Sequence, residues 1–170
     1  MTDNHFGQYM AALGEAMNQE LPGVSDARAE FTVDGVPYVF TSEADSPSIF
    51  VYAVVGALPP DEAAKARVFA GLLHAQYCFS ESSGFSFGVD ADDTFVILQA
   101  LVDTDRFDEA AFVALMDKFV KSANVWTKRL AEVSSGRLQR FPIGARRRRK
   151  SPRRRRSASP RSSPPSWRIA

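Results

Sequence analysis

The sequence predicts an α+β domain in the order α-β-β-β-α-β-β-α, with an antiparallel, twisted sheet flanked by helices. Three observations predict it. Apolar residues recur at helical spacing near both ends of residues 1–136, Asp34-Gly35 separates two stretches of alternating hydrophobicity, and the acidic turn Asp90-Ala91-Asp92-Asp93 separates two more. Helices outside and hairpins inside make segregated layers, not the strict alternation of a parallel sheet.

Phe6, Met10, Leu13 and Met17 fall at i, i+4, i+7 and i+11, so a first helix is predicted over about residues 4–20, stopped by Leu21-Pro22-Gly23. In AEFTVDGVPYVFTSE, Phe31 and Val33 point one way and Glu30, Thr32 and Asp34 the other, and Asp34-Gly35 supplies the positive φ of a tight turn. Strands over 28–34 and 36–42 follow. Pro37 has no N–H to give a ladder, so the second strand should begin at an edge or be paired on one side only there. The third strand, Ile49–Val55, is apolar on both faces and needs cover on both. Pro59-Pro60-Asp61-Glu62 opens a second helix with acids where the positive end of the peptide dipoles favours them, and that helix runs to about Tyr77. Ala64, Val68, Leu72 and Ala75 form one stripe on it, with Phe69, Leu73 and Tyr77 beside it. This is more apolar width than a single contact uses. GFSFGV and TFVILQALV make the second hairpin. The last helix is predicted to begin near Asp105, as its cap, and to set Phe112, Leu115, Phe119, Ser122, Trp126 and Leu130 on one face before ending near Ser134-Ser135-Gly136.

The formal charge of the 170 residues, +1, hides two unlike parts. Residues 1–136 carry 8 Lys and Arg against all 20 Asp and Glu, a net charge of −12, whereas residues 137–170 carry 13 basic residues and no acid. An acidic domain, 1–136, therefore carries a basic appendage, 137–170. A domain of that length buries about two-thirds of its unfolded surface, enough for one core without staples. Cys78 is the single cysteine, so no intrachain disulfide forms and a reducing compartment is expected. MTDNHFGQ lacks the basic and apolar regions of a secretory signal, and the longest apolar run, Ile49–Leu58, is too short to span a bilayer. The expectation is a soluble, cytoplasmic protein with no membrane partner.

Signatures of catalysis are absent. The two histidines, His5 and His74, have no HExxH spacing and there is no cysteine cluster, so a zinc site lacks ligands. No GxxxxGK[ST] loop and no GxGxxG after a strand occurs, and Gly84-Phe85-Ser86-Phe87-Gly88, although it spells GxSxG, lies in the second hairpin and not at a strand-to-helix elbow. His74 has no acid or nucleophile near it in sequence and reads as a helix-surface or interface residue, and Cys78 reads as a small buried hydrophobe. Asp90, Asp92 and Asp93 imitate part of a calcium loop, but Phe95 and Leu101 stand where that loop requires Gly and Glu. No cofactor, no metal and no enzyme activity are expected.

Four stretches carry a family resemblance: HFGQYMAALGEAM, IFVYAVVGALPPDEAAKARVFAGLLHAQY, GFSFGVDADDTFVILQALVD and FDEAAFVALMDKFVKSANVWTKRL. In this order and at these lengths, over about Phe6 to Leu130, the chain resembles the CesT-like (class I) chaperones of bacterial type III secretion. It departs from them at Gln76, where members often carry Asn, at Ser83, and in its basic tail. The resemblance implies a small acidic homodimer in the bacterial cytoplasm, joined mainly through the second helix and neighbouring strands. It also implies a protein that, without ATP, binds the N-terminal segment of a secreted effector in extended form, adding backbone pairing at a sheet edge. On that basis Ala64, Val68, Leu72 and Ala75 are candidates for the dimer interface. Phe31, Val33, Tyr38, Phe40, Phe50 and Tyr52 are candidates for the guest surface. The alternative for every one of them is an ordinary core position, because strand face depends on register.

Residues 137–170 hold only Leu138, Phe141, Ile143, Trp167 and Ile169 as large apolar residues, too few to offset the entropy of ordering, so disorder is expected there. The tail admits three roles. Its charge suits RNA or DNA through counterion release, although a −12 domain repels phosphate and this partner is not favoured. It suits equally a fold back onto the acidic domain as an intramolecular guest. Or it is incidental, since arginine and proline runs are what GC-rich DNA yields in a wrong frame.

Overall fold

The computed structural model describes residues 5–43, 46–79 and 81–134. The tail expected at 137–170, the domain boundary near Gly136 and the side chain of Cys78 lie outside the described residues. The elements are α1 (His5–Met17), β1 (Arg28–Val33), β2 (Val36–Ser42), β3 (Ser48–Ala57), α2 (Glu62–Gln76), β4 (Ser86–Val89), β5 (Phe95–Asp103) and α3 (Glu109–Ser134), with a single 3-10 turn at Tyr77–Phe79. This is the predicted order. The five strands form one sheet, β1-β2-β3-β5-β4, antiparallel throughout.

Local chemistry sets most of the boundaries. Asp34 and Gly35 both take positive φ, 53° and 80°, as a two-residue hairpin matched to strand twist requires. Pro37 pairs with Thr32 of β1, and β2 meets β3 only from Tyr38 onward, so the missing N–H falls where the second ladder has not begun. α2 is capped by Asp61, whose carboxylate accepts from the Ala64 amide at 2.7 Å.

Two helix ends differ from expectation. α1 stops at Met17, not at the Leu-Pro-Gly sequence: Asn18 turns left-handed (φ 52°), its amide donates to Glu15 O, and the Gln19 amide donates to Gly14 O. Those two bonds are a Schellman ending, and Gly14 permits it because an added Cβ would lie 3.0 Å from Gln19 O. α3 begins at Glu109, and its cap is Asp108, accepting from the Ala111 amide at 2.8 Å, whereas Asp105 belongs to the preceding turn.

One core lies between the sheet and the helices. Phe6, Tyr9, Met10 and Leu13 of α1 and Phe112, Met116, Phe119, Trp126 and Leu130 of α3 pack over Phe40, Val51, Val55 and Leu98 of the strands. Tyr9 meets Phe112 edge to face at 5.2 Å, and its hydroxyl donates to the carbonyls of Phe107 and Thr104, holding α1 to the segment that enters α3. The chain between α2 and β4 is pinned to α3. Glu81 receives Arg129 at 2.7 Å, the Arg129 guanidinium lies 4.9 Å from the Trp126 ring centroid, and the Trp126 indole donates to the Glu81 carbonyl.

Candidate functional site

Strand alternation divides the sheet into two faces of different character. Ile49, Val51, Ala53 and Val55 of β3 point to the helices and are buried, whereas Phe50, Tyr52 and Val54 point away and stay half exposed. Antiparallel register carries the division across the sheet. Phe50 stands opposite Leu101, Tyr52 opposite Gln99 and Val54 opposite Ile97, and none of these belongs to the core cluster. Leu101 is 71% exposed and Phe95, at the end of the same row, 42%. Among the described residues, the core leaves the third strand's apolar outer face without cover.

A break in alternation near Val55 re-aims the end of the strand. The β3–β5 register shifts between Val54 and Gly56, so Gly56 pairs with buried Val96 and turns toward α3, while Ala57 pairs with exposed Phe95. A Cβ on Gly56 would lie 3.1 Å from Leu130 Cβ. Glycine lets helix and strand close there.

The free edge of β1 borders the outer face. With Val33 and Val36 closing the two-residue turn as a bonded pair, the backbone groups of Val33, Phe31 and Ala29 address β2, and those of Thr32, Glu30 and Arg28 address the outside. Ser25 occupies the Arg28 position. Its amide donates to Arg28 O at 2.7 Å and its hydroxyl accepts from the Arg28 amide at 3.2 Å. Gly23 lies beside the Glu30 carbonyl. The same loop and α1 enclose a groove of about 690 Å³ whose floor includes Met10, Gly14 and Leu21 and whose rim carries Glu15 and Glu20. The opposite edge is blunted: the outward amide of Phe87 in β4 donates to Gln76 Oε1 at 3.2 Å.

The ten candidate residues separate cleanly by face. Phe31, Tyr38 and Phe40 are buried beneath the helices, with Phe31 and Phe40 stacked at 5.2 Å, and Val33 packs against the same core. Their side chains are interior, because Phe31↔Tyr38 and Ala29↔Phe40 register with the inward residues of β3. Phe50 and Tyr52, rings 5.8 Å apart, lie on the outer face. On α2, Val68, Leu72 and Ala75 are buried and Ala64 is half buried, so this stripe packs into its own chain. The outward stripe is Ala66, Ala70, Leu73 and Tyr77, with Leu73 72% and Tyr77 75% exposed. Sequence spacing offered Ala64, Val68, Leu72 and Ala75 as the stripe that meets a second copy, or else as ordinary core, with Leu73 and Tyr77 beside it; burial of Val68, Leu72 and Ala75 in their own chain leaves the neighbouring stripe as the outward one.

Electrostatics reinforce the contrast between the faces. Burial pushes the Tyr38 phenol up to about 12, with Asp34 adding to the shift, and its hydroxyl has no hydrogen-bond partner among the described residues. Burial first, and then Glu109, Asp108 and Asp105, raise Tyr9. Arg28, held by Glu30 at 2.8 Å on the outer face, is raised by that bond. No group of His, Cys, Asp and Glu suited to a metal occurs among the described residues, and no described helix is long and apolar enough to cross a membrane.

A sheet with helices on one face, an apolar face on the other and a partly open edge defines a protein built to hold another polypeptide. The chain belongs to the Tir chaperone protein (CesT) family, whose model matches residues 8–127. Solved structures share the fold. The ExsC-ExsE complex aligns with a TM-score of 0.61 at 15% identity, over 76% of this chain and 96% of that one. The heterodimeric complex ExoU-SpcU from the type III secretion system of Pseudomonas aeruginosa aligns with a TM-score of 0.54 at 16% identity, over 73% and 95%. No curated protein sequence matches the chain.

Proposed function

We propose that this chain is a cytoplasmic type III secretion chaperone that binds the N-terminal segment of a secreted effector in extended form. It acts by binding alone, without ATP or catalysis, and keeps that segment soluble and competent for export. The observation that carries this reading is the uncovered outer face of β3 and β5, where Phe50, Tyr52, Val54, Ile97 and Leu101 form one apolar surface running toward the free edge of β1. An extended guest gains affinity from the edge amides and specificity from alternate side chains set against that face. Glu15 and Glu20 on the groove rim, within a domain of net charge −12, favour guests carrying basic residues.

The protein acts as a homodimer through α2. Leu73 and Tyr77 of the outward stripe, with exposed Phe79 in the turn that follows α2, form an apolar surface that two copies related by a twofold axis bury against itself. The buried stripe of Ala64, Val68, Leu72 and Ala75 supports this surface from beneath. Residues 1–136 form the binding unit.

Co-purification of the full chain from its host, with the bound protein identified, tests the function. A secreted effector retained by the native chain and lost from a folded Phe50→Asp variant supports it. Equal retention by both refutes it.

A further inference from the structure

The loop between α1 and β1 lies along the edge to which a guest strand would add. We propose that residues 20–27 are a strap, closed on β1 in the free chain and displaced by the guest, so that opening of this loop sets how tightly a guest is held. The competition with a guest rests on the function proposed above; the opening of the loop does not.

The closed strap holds groups that an added strand needs. Both outward backbone groups of Arg28 are taken: its amide donates to Ser25 Oγ at 3.2 Å, and its carbonyl accepts from the Ser25 amide at 2.7 Å and from the Ser25 hydroxyl at 3.0 Å. Gly23 stands so near the Glu30 carbonyl that an added Cβ would lie 3.4 Å from that oxygen. Chain already lying against Arg28 and Glu30 excludes a second strand there.

The strap also fills the place of a guest side chain. Leu21 is the one buried residue between Gly14 and Ala29, and it lies on the groove floor against α1, where a Cβ added to Gly14 would be 3.6 Å from Leu21 Cγ. An apolar side chain in the groove, followed by a backbone bond to the strand edge, is what an extended guest itself would offer. Loop and guest therefore compete for one position.

The fastening is light. Between Gln19 and Ser25 no backbone hydrogen bond holds the loop among the described residues, and residues 22–27 are all exposed. The loop hangs between two firm points. Asn18, left-handed at φ 52°, has already ended α1, and the Ala27 carbonyl accepts from the Ser42 amide at 2.9 Å, continuing the β1–β2 ladder. Opening breaks the Ser25–Arg28 bonds and withdraws Leu21 while both elements stay whole, which makes it a local event of low cost. The apparent affinity for a guest is then the intrinsic affinity scaled by the open fraction.

Three measurements on the full chain test the strap. In the free protein the Arg28 amide should exchange at least about a hundredfold faster than the Phe31 amide, which faces β2, and equal protection of the two overturns the proposal. Ser25→Ala removes one fastening at an exposed position, so it should tighten binding of the protein that co-purifies with the chain by about threefold to tenfold. Equal or weaker binding by Ser25→Ala overturns the strap. A Glu-specific protease supplies a readout that simple burial of the loop would drive the other way: saturating guest should speed cleavage after Glu20 at least about fivefold. Slowed or unchanged cleavage means that the guest sits over a closed loop, which overturns the strap and leaves the chaperone function standing; equal retention by Phe50→Asp is the result that removes the function instead.

Discussion

Phe50 of β3 and Leu101 of β5 stand directly opposite each other on the face of the sheet that takes no part in the core. One strand position away, Val51 is wholly buried beneath the helices. Neighbouring residues of one strand thus face different surroundings, and on the function proposed above the inner one serves stability and the outer one recognition.

That division predicts opposite outcomes for two phenylalanines. Phe50→Asp should leave unfolding free energy within about 0.5 kcal/mol of native and weaken guest binding by about 2 kcal/mol or more. Phe40→Ala, which empties a buried site beneath α3, should cost about 3–5 kcal/mol of stability. Urea denaturation alongside binding titration separates the two.

Charge placed on the outward stripe of α2 should separate the copies without unfolding them. Leu73→Asp leaves the inward residues Val68, Leu72 and Ala75 untouched, so far-ultraviolet circular dichroism should remain native while light scattering falls from the dimer mass to that of one chain. A native chain that scatters as a monomer at micromolar concentration contradicts the dimer.

At Gly56 an added Cβ would lie 3.1 Å from Leu130 Cβ of α3. Because Leu130 is itself fully buried and cannot swing aside, Gly56→Ala should destabilise the domain by about 1–3 kcal/mol, read as a lower urea midpoint with the slope unchanged.

Tyr38 carries a buried hydroxyl without a hydrogen-bond partner among the described residues, so Tyr38→Phe should stabilise the fold by about 1 kcal/mol at neutral pH. The pH dependence has a definite sign. The folded phenol titrates near 12 and the unfolded one at 10.0, so the fold favours the neutral form. Its contribution is whole below pH 10 and is lost as the pH rises toward 12. The native chain should therefore lose about 2–3 kcal/mol over that window relative to Tyr38→Phe. Denaturation series at pH 9 and pH 11.5 check this, and parallel curves for the two proteins contradict it.

The order of elements was legible because each rests on local chemistry. Asp34-Gly35 fixes a turn with two positive φ angles, and the inward face of α3 follows from the spacing of Phe112, Phe119, Trp126 and Leu130. The ends of helices were less so. Asn18 and Asp108 act through backbone geometry that several nearby residues are equally able to supply, so Leu21-Pro22-Gly23 and Asp105 read as the stronger signals. The site was legible only in part. Alternation shows that Phe31 and Val33 share a face and that Phe50 and Tyr52 share a face, but which face the helices cover is decided by the pairing of β1, β2 and β3. On α2, two adjacent apolar stripes satisfy the same periodicity, and only packing against the rest of the chain selects Val68, Leu72 and Ala75 for the inside.

The most direct test of the account is amide hydrogen exchange of the full chain, alone and bound to the N-terminal segment of the secreted protein that co-purifies with it. Addition of the guest to the edge of β1 predicts that the outward amides of Glu30 and Thr32 slow by at least about tenfold on binding, while the already paired amide of Phe31 changes little. Saturating guest with unaltered exchange at Glu30 and Thr32 would contradict it.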